Sequence, residues 1–531
     1  MLVKFQNWVL KWLEALILFA PSAWMLLTVN PFWRDIDGYN QVTLPPGPMT
    51  VLQFSPLYCF GARVPLYFGY VYETIGASGR LPLRAFFGSP ILTDSGVFLL
   101  VAAQHLALLC AQWFLLRTIP ARPVTKLILA VLLALNTPFY TYAHSVGAEA
   151  LSLSTMLLFV AFAFRVWRFR RGNKLTWVWF GLSFGFCALI RPVNAVLAML
   201  VPTAFVLQTL AEITRSAFRR SSACFSRRPI KRRLRVCGLA MMIALLSLAV
   251  ANRSIHSICR ASKLKYRSTL GVIFEWRLNF LAKMDETERT EMLRRLSERV
   301  EDPVVKQMIA ETSAGVTASK DWDPQACTNK FVEVVERSGV MADAGYQLDL
   351  CRNRVAKTFL FSLERPFLRA VWNDFRAAFD FSQRELATFP IATTLYCFSR
   401  IQEMPQLPKL ATFRGPLATA ALAAQERTRY YWLLNIRFRN LLLIWAGLTL
   451  VACVWSKGRK FAPFSIALIC TAIVMVSLTC FLTELLPRFL LPFWVLYVAA
   501  TLLSLSSICD KISAAGIRSA GVRLRHAGRM R

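Results

Sequence analysis

The chain has 531 residues, 56% of them hydrophobic, with 39 Phe and 15 Trp and a formal net charge of +33. So apolar a composition excludes a string of soluble domains and predicts a membrane protein with a mostly lipid-facing, helical body. The basic excess does not describe a nucleic-acid-binding face, because the Lys and Arg residues are dispersed over alternating short connections and form no single patch.

Crossing about 30 Å of hydrocarbon takes roughly 20 apolar residues in a helix, since every backbone amide must be satisfied within the segment. Ten runs fit, at about 10–30, 93–116, 124–142, 146–166, 174–190, 193–212, 236–252, 438–456, 461–482 and 488–508. Lys4, Lys11 and Ala20-Pro-Ser-Ala23 give the first run a look of a signal peptide. It continues through Trp24-Met-Leu-Leu27, too long for an ordinary signal core, and is read as an uncleaved anchor. If ten spans alternate, Arg117, Arg122 and Lys126, then Arg165 to Lys174, the block Arg215–Arg235, Lys457 to Lys460 and the arginines of the tail all share one side. The positive-inside rule then puts both termini in the cytoplasm. The Arg215–Arg235 block would also attract anionic lipid, by about 1 kcal/mol per basic residue near the surface.

In chain order, seven spans occupy 1–252, an extracytoplasmic segment 253–435, three more spans 436–510, and a basic cytoplasmic tail 511–531. Glu14, near the inner surface, is accounted for by an i, i+3 pair with Lys11. The first outer loop, 31–92, carries "LPPGP" at 44–48 and "RVPLYFGY" at 63–70, which predicts short re-entrant or interfacial helices punctuated by turns. His105, in the middle of the second run, reads as a neutral histidine hydrogen-bonded to a neighbouring helix. Segment 253–435 shows no strand alternation and no internal repeat, so it is expected to be mainly helical and packed on the membrane surface. Within it, 285–300 places Leu293, Leu296 and Val300 on one helical stripe, and 355–379 reads as a surface-lying helix pair broken at Pro366. Thirteen cysteines lack C-x-x-C spacing, which does not describe a zinc site. Cys327 and Cys351 share the outer segment, either paired or free.

Under this topology a set of polar residues falls on one outer rim. Asp35 and Asp37 end the first span, Arg63 and Tyr67 lie in the first loop, and His144 and Glu149 bracket the start of the fourth span. Arg191 closes the fifth, and Glu484 and Arg488 bracket the last outer turn. Singly, each has a structural reading: Asp at a cap or turn, Arg snorkelling at a span end, Glu149 paired with an Arg because an unpaired carboxylate is costly there. Opposite charges converging on one rim suggest a shared polar cleft.

Here the chain resembles the GT-C class of polytopic glycosyltransferases, in the branch of protein O-mannosyltransferases and the lipid A aminoarabinose transferase. Asp35-Ile-Asp-Gly-Tyr39 is similar to that branch's acidic first-loop pattern, and "RVPLY" at 63–67 to its Arg-Pro-Pro-x-Tyr-Pro stretch. "SVGAEALSLSTMLLF" at 145–159 is like its span opening with Glu, "GLSFGFCALIRP" at 181–192 like its Gly-rich span ending in Arg-Pro, and "LPRFLLPFW" at 486–494 like its Arg-Tyr-x-x-Pro, with Phe489 in place of Tyr. The Asp-x-Asp departs from the adjacent Asp-Glu of the mannosyltransferases, and the Trp-Trp-Asp signature of oligosaccharyltransferases is absent.

The resemblance implies a sugar donor linked to polyprenyl phosphate, membrane lipids around it, and an acceptor that is a lipid, glycan or protein. Asp35 is then the candidate general base, with Asp37 orienting it or raising its pKa by like-charge repulsion. Arg191 and Arg488 are candidates for the departing phosphate, since a guanidinium grips it with two parallel donors. Arg63, Tyr67 and His144 would border the sugar or acceptor, and Glu149 would position an Arg or a sugar hydroxyl. The aspartate pair invites a divalent cation, but two oxygen ligands are too few to define a metal site. The setting implied is a bacterial inner membrane with the site facing the periplasm. A lipid or solute transporter and a non-catalytic scaffold are the rival classes; transporters tend to keep ionisable groups at mid-membrane, whereas these sit at the rim.

Overall fold

Apolar runs with no internal way of satisfying a sheet edge in lipid fold as helices, and the computed structural model is helical throughout the membrane part. It describes residues 2–29, 31–33, 41–42, 56–79, 86, 91–169, 173–218, 227–261, 265, 268–339, 344–399 and 435–529. The first half comprises α1 (Leu2–Thr28), β1 (Phe32–Trp33), α2 (Pro56–Ser78), α3 (Asp94–Thr118), α4 (Pro123–Ala134), α5 (Thr137–Ala143), β2 (Ser145–Val146), α6 (Ala148–Phe169), α7 (Lys174–Ile190), a 3-10 segment (Pro192–Met199), α8 (Leu200–Phe218) and α9 (Arg227–Ala261). An inserted helical unit follows, with α10 (Leu270–Arg277), α11 (Glu286–Glu298), α12 (Pro303–Glu311), α13 (Pro324–Arg337), α14 (Ala344–Ser362), α15 (Arg365–Ala378) and α16 (Gln383–Ser399). The chain returns through α17 (Phe438–Cys453), α18 (Ser456–Leu482), a 3-10 turn (Pro487–Leu490) and α19 (Leu491–Arg529).

The protein is an all-α polytopic membrane protein. The ten apolar runs lie largely on helices, the third on the pair α4 and α5 and the sixth on the 3-10 segment with α8. Among the described residues, seven helices are long and apolar enough to cross a membrane; α4 and α5 form an eighth only as a pair bent by 59°, and α7 and α17 have 17 and 16 residues. The bend has a cause in the sequence: Pro138 in the first turn of α5 cannot donate to the preceding helix. Asn136 at the break instead accepts from the Trp494 indole of α19 at 2.9 Å. At the centre, α6 and α19 are among the most enclosed helices, their candidate spans each 83% buried. They pack on one another, with α3 and α7 against α6 and α18 against α19.

Several expectations are revised. Among the described residues of the first loop, the stretch around 63–70 belongs to a longer helix of 23 residues, α2. Its sequence permits this because Gly69 and Gly96 let the backbones of α2 and α3 touch: a Cβ on Gly69 would lie 2.1 Å from the Gly96 nitrogen. The seventh apolar run continues as helix to Ala261, and α19 continues to Arg529. Glu14 is held by Arg117 of α3 at 2.7 Å, an interhelical partner in place of the local lysine. The break in 355–379 falls at Leu363, whose φ of 50° turns the chain, while Pro366 sits in the first turn of α15, where its missing N–H costs nothing. Cys327 and Cys351 are buried free thiols. In α11, Leu293 and Leu296 are buried as the stripe predicts.

The insertion is seated directly on the membrane helices. Its α10 and α15 rest on α18, and α16 reaches across to α5, β1 and the 487–490 turn. An antiparallel clip fixes the base of α16 to the entry of α17, with the Phe438 amide donating to Phe381 O at 2.9 Å and that of Arg439 to Phe379 O at 3.0 Å.

Candidate active site

The site grows from one corner, residues 143–149, where the bent pair ends and α6 begins. β1, just past the end of α1, pairs in parallel with β2, Phe32 opposite Ser145 and Trp33 opposite Val146. Two residues are too short a ladder to persist alone, and side chains hold it. Gln104 of α3, buried, donates to Ala143 O at 3.0 Å and Ser145 O at 2.9 Å. The Tyr58 hydroxyl of α2 donates to Gln104 Oε1 at 3.0 Å and accepts from the Gly147 amide at 2.8 Å. Gln41 Oε1 accepts from the Ala148 amide at 3.2 Å. A small apolar cluster, including Ala62 and Leu66 of α2, Val97 and Leu100 of α3, Ala148 and Ile190, packs below.

On this footing Glu149, fully buried in the first turn of α6, forms an ion pair with Arg191 at the end of α7. The carboxylate also sits at a helix N-terminus, where the macrodipole favours it. Arg191 interrupts its helix in an extended conformation. Cys187 O accepts both from the Arg191 amide at 3.1 Å and from Asn194 Nδ2 at 2.9 Å, which ties the helix end to the following 3-10 segment. The Arg191 guanidinium lies 5.9 Å from the centre of the Phe489 ring. Arg488 lies 5.0 Å from the same ring and 6.0 Å from Phe389 of α16. Two cations thus converge on one aromatic ring, contacts worth roughly 0.5–2 kcal/mol each.

The predicted residues therefore divide. Glu149, Arg191 and Arg488, separated by more than three hundred positions, come together. Arg63 is buried and donates through Nε to Phe86 O; burial pushes its guanidinium down from the ordinary value. Tyr67, one turn further along α2, packs its ring edge-on to Phe86 at 5.5 Å. His144 lies inside the corner. Its Nδ1 meets His105 Nε2 at 3.0 Å, and its Nε2 meets Val29 O at 3.0 Å. His105 bonds in turn to Ser22 Oγ at 2.9 Å, the interhelical role read from the sequence. This chain of bonds ties α1, α3 and the corner together, so His144 acts as a strut. Asp35, Asp37 and Tyr39 lie outside the described residues; Asp35 follows Trp33 by two positions. Glu484 turns towards the insertion, where burial raises its pKa despite a hydrogen bond from Asn279. Among the described residues, no three His, Cys, Asp or Glu side chains gather closely enough to hold a metal ion.

Tyr58, Gln104 and Gln41 did not emerge from the sequence as part of the site. Gln104 carried a signal, being polar beside His105 in an otherwise apolar run, where an amide is buried only if bonded.

No known protein family and no curated protein matches the chain. Among solved structures it is similar to the archaeal oligosaccharyltransferase AglB from Archaeoglobus fulgidus in complex with an inhibitory peptide and a dolichol-phosphate, at 12% identity and a TM-score of 0.37. The match covers 98% of this chain and 52% of that one, so this chain spans about half the length of the archaeal protein. At that TM-score the likeness assigns neither fold nor activity.

Proposed function

We propose that the protein is a membrane glycosyltransferase of the GT-C type, moving a sugar from a polyprenyl-phosphate carrier to an acceptor hydroxyl. The observation that carries this reading is the convergence of Arg191 and Arg488 on Phe489, beside the buried Glu149. Two guanidiniums at a helix-end rim suit a phosphate whose lipid tail lies among the helices. Glu149 fixes Arg191 and keeps the pair from being a purely cationic patch.

In the proposed reaction the acceptor O–H gives its proton to the Asp35 carboxylate while its oxygen attacks the anomeric carbon. The bond from that carbon to the phosphate oxygen breaks, and polyprenyl phosphate leaves with its charge held by Arg191 and Arg488. One displacement inverts the anomeric centre. Asp37 orients Asp35, and Arg63 and Tyr67 border the entrance along α2. In this reading the site faces the periplasm of a bacterial inner membrane, with both termini in the cytoplasm.

The test is turnover. Purified protein given labelled polyprenyl-phosphate sugars should release polyprenyl phosphate, and Asp35→Asn should lower the rate by about 10²–10⁴-fold. Undiminished release in that variant would remove Asp35 from the base role, and absence of turnover across a donor panel would favour a transporter or scaffold.

A further inference from the structure

Helix α15, in the insertion, has the pattern RPFLRAVWNDFRAA. Phe367 and Val371 are buried, and Phe367 packs edge-on against Phe481 in the last turn of α18 at 6.0 Å. Since α18 is long and apolar enough to span a membrane, α15 lies level with the end of a span. Its outward stripe, at helical spacing, is Arg365, Leu368, Arg369, Trp372 and Arg376, with Leu368 37% and Trp372 57% exposed; Phe361, at the end of α14, is 82% exposed. Water alone is a poor partner for that combination.

The charges sharpen the point. The acids beside the stripe are engaged elsewhere, Asp380, one turn past Arg376, by Arg439 at 3.1 Å. Glu364 accepts from Arg299 at 2.9 Å and from Arg295 at 3.4 Å, and Asp374 pairs with the buried Arg277. Among the described residues, Arg365, Arg369 and Arg376 form no ion pair, whereas Arg294, Arg337 and Arg354 of the same unit each hold a carboxylate. A helix at a span end that presents Trp and Leu among unneutralised arginines matches the interfacial zone of a bilayer, where aromatic rings sit at headgroup level.

We infer that the outward stripe of α15 is a docking surface for the anionic headgroups of the adjoining lipid leaflet, anchoring the insertion over the membrane helices. Each arginine adds roughly a fivefold preference for an anionic lipid. The inference is independent of the proposed activity.

The experiment uses the full chain in nanodiscs of equal phosphatidylglycerol and phosphatidylcholine, with Trp372 replaced by the photocrosslinker benzoylphenylalanine. Glu298, exposed on α11, carries the same group in a control. Lipid adducts at position 372 should exceed those at 298 by about tenfold or more and favour phosphatidylglycerol by about the same factor. Combined Arg365→Gln, Arg369→Gln and Arg376→Gln substitutions, all at exposed positions, should bring the two lipids to parity. Equal yields at 372 and 298, or adducts at 372 mainly to protein, would overturn the inference; no headgroup preference in the unsubstituted stripe would overturn its electrostatic half.

Discussion

At the scale of single residues, the ion pair between Glu149 and Arg191 is the test piece, because Glu149 is 0% exposed while Arg191 retains 14%. Taking away the arginine leaves a carboxylate in a site without water. Arg191→Gln should therefore cost about 3–5 kcal/mol, and adding Glu149→Gln should recover most of that loss. Unfolding midpoints of the two single variants and the double variant check this; a double variant no more stable than Arg191→Gln would show that the pair is not what holds the corner. That Glu149 would seek an arginine was legible from the expense of a carboxylate in an apolar helix. Which arginine was not, since 42 positions separate the partners and only the crossing of α6 and α7 brings them together. His144 illustrates the opposite case. Its position at a span end marked it as a ligand-binding residue, but a ring with two nitrogens can equally bridge two helices, and sequence spacing does not distinguish these.

At the scale of elements, the positions of the helices followed from hydropathy, down to the bent pair that reads as one run. Missing was α2: its 23 residues include Arg63 and two prolines, features of a loop until Gly69 and Gly96 are seen to admit close backbone contact. The two-residue strand pair was also invisible, as alternation needs several residues to register. Its stability comes from Gln104 and Tyr58, which belong to other elements. Gln104→Leu removes three hydrogen bonds and leaves two buried carbonyls and a hydroxyl short of partners, so we expect a loss of about 1–3 kcal/mol for each group left unsatisfied. The expected readout is a lower unfolding midpoint together with reduced turnover; an unchanged midpoint would mean that the 143–149 corner is held by its apolar packing alone.

At the scale of the whole molecule, charged groups gather at the two ends of the helix bundle. One end carries Glu149, Arg191 and Arg488 under the roof of α16, and the other carries the pairs Glu14 with Arg117 and Lys457 with Asp510. The helical character of the insertion was legible in sequence. The placement of α16 was not, because its contacts with α5, β1 and the 487–490 turn join segments remote in the chain, and through Phe389 it contributes to the site itself. Receipt of a lipid-borne phosphate between Arg191 and Arg488 would be visible in an experimental structure of the protein with polyprenyl phosphate bound. The phosphate should lie within hydrogen-bonding reach of both guanidiniums, with the prenyl chain descending between the helices. A phosphate seated at the opposite end beside Arg117, or one contacting neither Arg191 nor Arg488, would contradict it.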